Sequence, residues 1–286
     1  MNLIERLMGG KAALSLGLLI LAAPASAQKD PAKVPLKLGA SQMIKLVIPQ
    51  PYSSNRLEYD YIFPIVQTAR DRYFLDAKVF ASEQPLIGAS AGSDFIQAFG
   101  QSARLGVRTL FEEGTGFRGA SVGYDSLWQQ GEYYQQLGAA LEYTKQDYQL
   151  VLTMGLPLSA AGATPAGATP LASVNVQVSL PTGYPGLAVQ PRVYVVGSNS
   201  TGSAVGGQLQ FTYSFARSWS ATLASNYDDL TGVSGSLTFQ VLFPRRQPES
   251  FGAAIHPSLI NSFAGAVGNN GSRVIRLDNA PAASGN

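Results

Sequence analysis

Cysteine is absent and histidine occurs once, at His256. The first absence excludes a disulfide framework and a thiolate metal site. The second excludes any mechanism that needs two imidazoles. Charge is also scarce. Asp, Glu, Lys and Arg make up 13% of the 286 residues, where about a quarter would be ordinary for a soluble protein. The formal net charge is only +2, and nothing in it points to nucleic acid. Long apolar runs are missing too. Past Ala27, no stretch reaches the roughly 18 apolar residues that a spanning helix needs. Hydrophobic residues are nonetheless an ordinary 45%. Few charges with ordinary hydrophobicity suit a barrel, whose apolar residues are diluted one for one by polar lumen residues.

The chain begins with an export pattern. Arg6 and Lys11 give a positive start, Ala12 to Ala22 an apolar core, and Ala25-Ser26-Ala27 a small-x-small cleavage site before Gln28. The expected organisation is a signal peptide over 1–27, a periplasmic lead over 28–39, a barrel over 40–244 and a C-terminal linker or tail over 245–286. An exported chain without spanning helices belongs to the periplasm, the outside or an outer-membrane barrel.

Alternation decides between them. Leu209, Phe211, Tyr213 and Phe215 interleave with Gln208, Gln210, Thr212 and Ser214, and Leu237, Phe239, Val241 and Phe243 with Ser236, Thr238, Gln240 and Leu242. Successive strand residues point to opposite faces, so one face is apolar and the other carries hydroxyls and amides. The pattern recurs at 57–63, 73–79, 105–111, 120–125, 137–143, 148–156, 174–180, 189–195 and 219–227. Gln42 to Ile48 follows it less well, because Lys45 interrupts it, and 82–101 reads as a long Gly/Ser/Ala loop. About twelve strands result, mostly 9 to 12 residues long, against the roughly 9 to 11 of a tilted membrane strand. The fold class is all-β, a closed antiparallel transmembrane β-barrel. With Phe243 on the periplasmic side, the short turns fall inside and the two longest loops, 82–102 and 159–172, fall outside, as in bacterial barrels. The expected place is the outer membrane.

The polar parity carries Glu58, Asp60, Asp76, Lys78, Arg104, Arg108, Asp125, Glu142 and Arg192. These are the candidate lumen charges. They either pair across the lumen and stiffen it or form an ion-selective constriction. Charge on the lipid side costs about 2–4 kcal/mol for Lys or Arg at mid-depth, so confinement to one parity is expected. Tyr59, Tyr73, Tyr124, Tyr143, Tyr148, Trp219 and Tyr227 share the apolar parity near strand ends, where interface girdles lie. The tail is not strand-like until Val274 to Leu277, and residues 248–277 are expected in the lumen as a plug or in the periplasm as a loose end.

Two resemblances follow from particular residues. Gly235-x-x-Thr238-Phe239-x-Val241-x-Phe243 resembles the aromatic-ended last strand read by the barrel-assembly machinery. Residues 103 to 158 resemble the barrel of inverse autotransporters, the intimin and invasin family. The carrying features are the Gly106 strand, Gly123-Tyr124-Asp125, Gln136-Leu137-Gly138, Glu142-Tyr143 and Leu156-Pro157-Leu158. Residues 57–64, LEYDYIFP, resemble that family's early strand, and 174–243 fit its later hairpins more loosely. This resemblance implies a twelve-strand barrel whose C-terminal linker threads the pore. It does not imply a passenger array, since none follows Leu277 in this sequence.

The functional expectation is a scaffold or translocator for a very short C-terminal segment. The alternative is a passive small-solute channel plugged by its own tail. An outer-membrane lipase would need a histidine base beside a serine, and His256 with Ser258 sits in the tail, with no orienting acid in evidence. The chain is read as no enzyme, with no catalytic, cofactor-binding or metal-binding residue. Expected partners are outer-membrane lipid, and the barrel-assembly machinery and periplasmic chaperones during insertion. The barrel is expected to be a monomer.

Overall fold

The computed structural model describes residues 39–50, 56–82, 98–111, 114–129, 132–145, 148–158, 168–198, 202–216, 218–229, 232–243 and 275–278. Its strands are β1 (Ser41–Gln50), β2 (Arg56–Gln67), β3 (Asp71–Ser82), β4 (Ala98–Leu110), β5 (Gly116–Gln129) and β6 (Glu132–Lys145). There follow β7 (Tyr148–Pro157), β8 (Ala168–Pro181), β9 (Leu187–Ser198), β10 (Gly202–Ala216), β11 (Trp219–Asp228), β12 (Gly232–Phe243) and a short β13 (Ile275–Asp278).

Each of the first twelve pairs antiparallel with its sequence neighbours, and β12 returns to β1, from Gln42 opposite Phe243 to Gln50 opposite Gly235. The ring is therefore closed and has no free edge. Twelve strands about 4.8 Å apart and tilted about 40° enclose a ring about 24 Å across, backbone to backbone.

Exposure alternates along the strands in the sense opposite to a soluble sandwich. Leu105 and Val122 are each 55% exposed and Leu223 59%, while their chain neighbours Arg104, Ser121 and Ala224 are buried. Most bulky apolar side chains thus point away from the ring, and most polar ones point into it. No helix among the described residues is long and apolar enough to cross a membrane; the strands are the crossing elements.

The two rims differ. One holds Ser41, Phe243 and the connections 68–70, 111–115, 146–147, 182–186 and 217–218. The other holds the opposite strand ends, Gln50, Arg56, Ser82, Ala98, Pro157 and Ala168 among them, between which the two longest connections fall in the sequence. Gly186 at the first rim has φ +79°, and a Cβ there would lie 2.6 Å from the Ser214 carbonyl oxygen. Ser214 N–H donates to the Gly186 carbonyl at 2.8 Å, so the turn packs directly on β10. Bulges between Pro64 and Val66 and between Tyr213 and Ala216 also lie at this rim. They leave Ile65 and Val66 both exposed, in succession. β13 pairs with Ala168–Leu171. That stretch of β8 runs beyond its last partners on β7 and β9, at the rim opposite Phe243.

Four expectations need correction. Lys45 does not interrupt β1: its parity points into the ring, where Glu58 and Asp60 receive it. β4 begins at Ala98, inside the stretch read as loop, and β8 at Ala168. Small residues pair as well as large ones but give no apolar period to read. Charge is not confined to one parity either. Arg118 and Lys145 are exposed on the outward side, both within the strand residues nearest the short-turn rim. There a long basic side chain can reach the headgroup layer.

Aromatic side chains collect at both rims. At the short-turn rim Phe111 meets Tyr143 with ring centroids 5.4 Å apart. Tyr184, Tyr213, Phe215 and Trp219 form a chain of tilted contacts at 6.3, 6.5 and 6.5 Å. Tyr59, Tyr73, Tyr143, Tyr148, Trp219 and Tyr227 are all exposed. At the other rim the hydroxyls of Tyr124 and Tyr133 are 3.2 Å apart. Amphipathic rings at two levels bracket an apolar band, as interface girdles do.

Candidate functional site

The lumen is where the strands gather most of the described polar side chains, and its wall divides into two halves. The first runs from β1 to β6. Lys45 Nζ lies 3.0 Å from Asp60 Oδ2 and 3.7 Å from Glu58 Oε2. Lys78 Nζ lies 3.5 Å from Asp60 Oδ1, and Arg56 pairs with Glu58. Two carboxylates and three cations on β1 to β3 thus form one network beside the seam with β12.

The network continues on β3 to β6. Asp76 stands opposite Arg104 in the β3–β4 register, and Arg104 Nη2 lies 3.8 Å from Asp125 Oδ2. Arg108 donates twice to Glu142, Nε to Oε2 at 2.8 Å and Nη2 to Oε1 at 3.0 Å. Its guanidinium also lies over the rings of Phe74 and Phe117, at 4.8 and 5.5 Å. Glu58, Asp60, Arg72, Arg104, Arg108 and Glu142 are all buried. Charges so removed from water persist where an opposite charge stands beside them, and Arg108 and Glu142 are hydrogen-bonded as well.

Apolar groups share this half. Ile62, Phe74 and Ala140 form a buried cluster, and Leu127 packs with Tyr134 beside Phe80. Glycines opposite the rings make the room. A Cβ on Gly106 would fall 2.4 Å from Phe74 Cζ, and one on Gly100 would fall 2.0 Å from Phe80 Cζ. Phe74 and Phe80 stand directly opposite those glycines in the β3–β4 register, so each ring lies flat along the wall instead of crossing the lumen.

The second half, from β7 to β12, is mostly amide and hydroxyl. Asn175 donates to Thr153 Oγ1 at 3.1 Å. Gln177 donates to Gln190 at 3.4 Å and Gln210 to Gln208 at 2.7 Å. The Thr212 and Thr222 hydroxyls are 2.9 Å apart. Arg192 donates to Asn175 at 2.5 Å and Gln208 at 3.3 Å, with its guanidinium 5.3 Å from the Tyr194 ring centre. Tyr194 in turn donates its hydroxyl to Asp228 at 2.6 Å.

All the candidate charges from Glu58 to Arg192 therefore lie on the inward parity. The structure gathers Glu58, Asp60 and Lys78 with Lys45, sets Asp76 opposite Arg104, joins Arg104 to Asp125 and Arg108 to Glu142, and places Arg192 on the far wall, bonded to Asn175 and Gln208. Sequence reasoning omitted Lys45, Arg56, Arg72 and Asp228. Extending the inward parity one step past each apolar run would have found Arg56, Arg72 and Asp228. No cluster of potential metal ligands occurs among the described residues. His256, Ser258 and most of the 248–277 plug segment lie outside the described residues.

The comparisons agree with this geometry. A membrane protein solved in a study of in-meso crystallization matches with a TM-score of 0.56 at 13% identity, over 84% of this chain and 97% of that one. An outer-membrane channel from Pseudomonas putida F1 matches at 0.51 and 10% identity, over 76% and 100%. The translocator domain of the autotransporter NalP from Neisseria meningitidis overlaps more loosely, at 0.38 and 11% identity, over 82% and 96%. The fold is that of an outer-membrane β-barrel. At such identities the first two likenesses show the fold alone. No family model matches the sequence, and no curated protein matches it. The closed ring, the outward apolar band and the two girdles set this barrel in the outer membrane, with lipid around its wall.

Proposed function

We propose that the barrel is a passive channel for small solutes. The observation that carries this reading is the β7–β12 half of the lumen. It lies inside a closed ring and keeps Gln208, Thr212, Thr222, Thr238 and Gln240 half-exposed. The opposite half is taken up by paired charges and flat-lying rings, so the passage is narrow. In this reading the tail limits flow further. Planar-bilayer recordings of the full chain, and of a chain lacking residues 248–286, test it. Small conductance steps are expected from the first and larger ones from the second. Silence from both would overturn the channel, and equal steps would overturn the plug.

One observation favours a second reading, a scaffold or translocator of inverse-autotransporter type. Phe243 ends β12 at one rim, and Ile275–Asp278 pair with β8 at the other. A chain that leaves at one rim and returns at the opposite one suits a barrel that carries its own C-terminal segment outward. The resemblance of residues 103–158 to intimin- and invasin-type barrels points the same way. A tag after Asn286 should then be removed by protease added to intact cells. Full protection of the tag, with an intact outer membrane, would overturn display. We read no catalytic role in either case.

A further inference from the structure

Given a channel, the chemistry of its open wall defines what it should pass. The charged half offers little to a solute, because Glu58, Asp60, Arg104, Arg108 and Glu142 are buried against one another. Gln208, Thr212, Thr222, Thr238 and Gln240 form a continuous half-exposed polar surface on β10 to β12, while Lys78, Gln177, Ser179 and Arg192 are half-exposed elsewhere on the wall. An amide offers two donors and two lone pairs, and a hydroxyl one donor and two lone pairs. Gln210 and Arg192 both donate to Gln208 Oε1 and Thr212 bonds Thr222, which leaves the Gln208 amide N–H groups, Thr238 and Gln240 with capacity to spare. Thr212 faces Thr222, and Thr222 faces Thr238, in one row across three strands. Gln208 and Gln240 flank that row on either side along the barrel axis. Among the described inward residues of β7 to β12, charge is limited to Arg192 and Asp228, of opposite sign.

We infer that the solute path runs off the barrel axis, along β10 to β12, and favours small uncharged polyhydroxylated solutes, monosaccharides and polyols, over ions of either sign. This inference rests on the channel reading above. A row of amides and hydroxyls replaces a sugar's hydrogen bonds to water group for group. It offers an ion no net counter-charge, and a nearly neutral wall does not concentrate ions by its field.

Liposome swelling with the full chain tests the inference, using L-arabinose, sodium gluconate and lysine hydrochloride. The absence of native cysteine allows clean single-site blocking. Thr222→Cys treated with a bulky neutral methanethiosulfonate puts an obstacle on the path, and Leu223→Cys puts the same group on the lipid side. Arabinose should enter several-fold faster than either salt. Its rate should fall several-fold on modification at 222 and stay unchanged on modification at 223. Equal rates for the three solutes, or an arabinose rate indifferent to a fully modified residue 222, would overturn the inference while bilayer conductance still upheld a channel. No swelling at all, with silent bilayers, would remove the channel and this inference together.

Discussion

Arg108 and Glu142 form a two-pronged ion pair across an intervening strand, and Gly119 is the residue they cross. Gly119 stands opposite Arg108 on one side and Glu142 on the other. A Cβ there would lie 2.9 Å from Glu142 Oε2 and 3.1 Å from Arg108 Cγ. The pair exists because the strand between has no side chain. Gly119→Val should therefore push the two apart, with an overpacking cost of about 1–3 kcal/mol. Equilibrium unfolding from lipid vesicles measures it, and an unchanged midpoint would mean the pair bends around the new methyls freely.

The same pair predicts an asymmetry between single and double changes. Glu142→Ala leaves a buried guanidinium without this carboxylate and should cost about 3–5 kcal/mol. The double variant Arg108→Met, Glu142→Leu keeps the volume, removes both charges and should recover much of that loss. A double variant as weak as the single one would show that Arg108 matters for packing on Phe74 and Phe117 and not for its charge.

Lys45 ties β1 to β2, beside the seam where the first strand meets the last. It reaches Asp60 and Glu58 on β2 from a position opposite Gln240 on β12. Lys45→Met should leave Asp60 paired with Lys78 and loosen β1 against β2. The expected sign is faster amide exchange of β1 and β2 than of β5 and β6. Uniform exchange around the ring would contradict it.

Phe74 offers a packing test independent of charge. Its ring lies flat over Gly106 and touches Ile62 and Ala140 in the lumen wall. Phe74→Ala should cost about 3–5 kcal/mol, as for a buried aromatic in a soluble core. A loss below about 1 kcal/mol, within the range of ordinary surface substitutions, would mean that water fills this part of the lumen at little cost.

The fold was legible because a closed barrel in lipid forces the period-two pattern on every strand. Runs such as Leu209-Gln210-Phe211-Thr212-Tyr213 state it plainly. It failed where the side chains are small, as at Ala98-Phe99-Gly100-Gln101-Ser102, since Gly and Ser mark neither face. It failed at Lys45 because a charge between Ile44 and Leu46 reads as a break until its partners on β2 are known. Charges such as Asp60 and Glu142 could be assigned to a face by parity, yet their pairing could not, because register across strands decides which acid meets which base. The apolar lumen residues Ile62, Phe74 and Phe117 were hidden for a related reason. Their space is supplied by glycines or small residues on other strands, and no local pattern reveals that. Arg118 went unread because outward charge is costly only at mid-depth, and a strand end lies near the headgroups.

The account stands on the direction in which neighbouring side chains point. Spin labels at consecutive cysteines from 220 to 226, in membranes, measure this by their accessibility to oxygen, which prefers lipid, and to a polar nickel chelate, which prefers water. The expected result is strict alternation, with 221, 223 and 225 oxygen-accessible and 222, 224 and 226 shielded from oxygen and nearer the chelate. Accessibility that fails to alternate, or that places Leu223 away from lipid and Thr222 within it, would contradict the barrel and every functional statement built on its lumen.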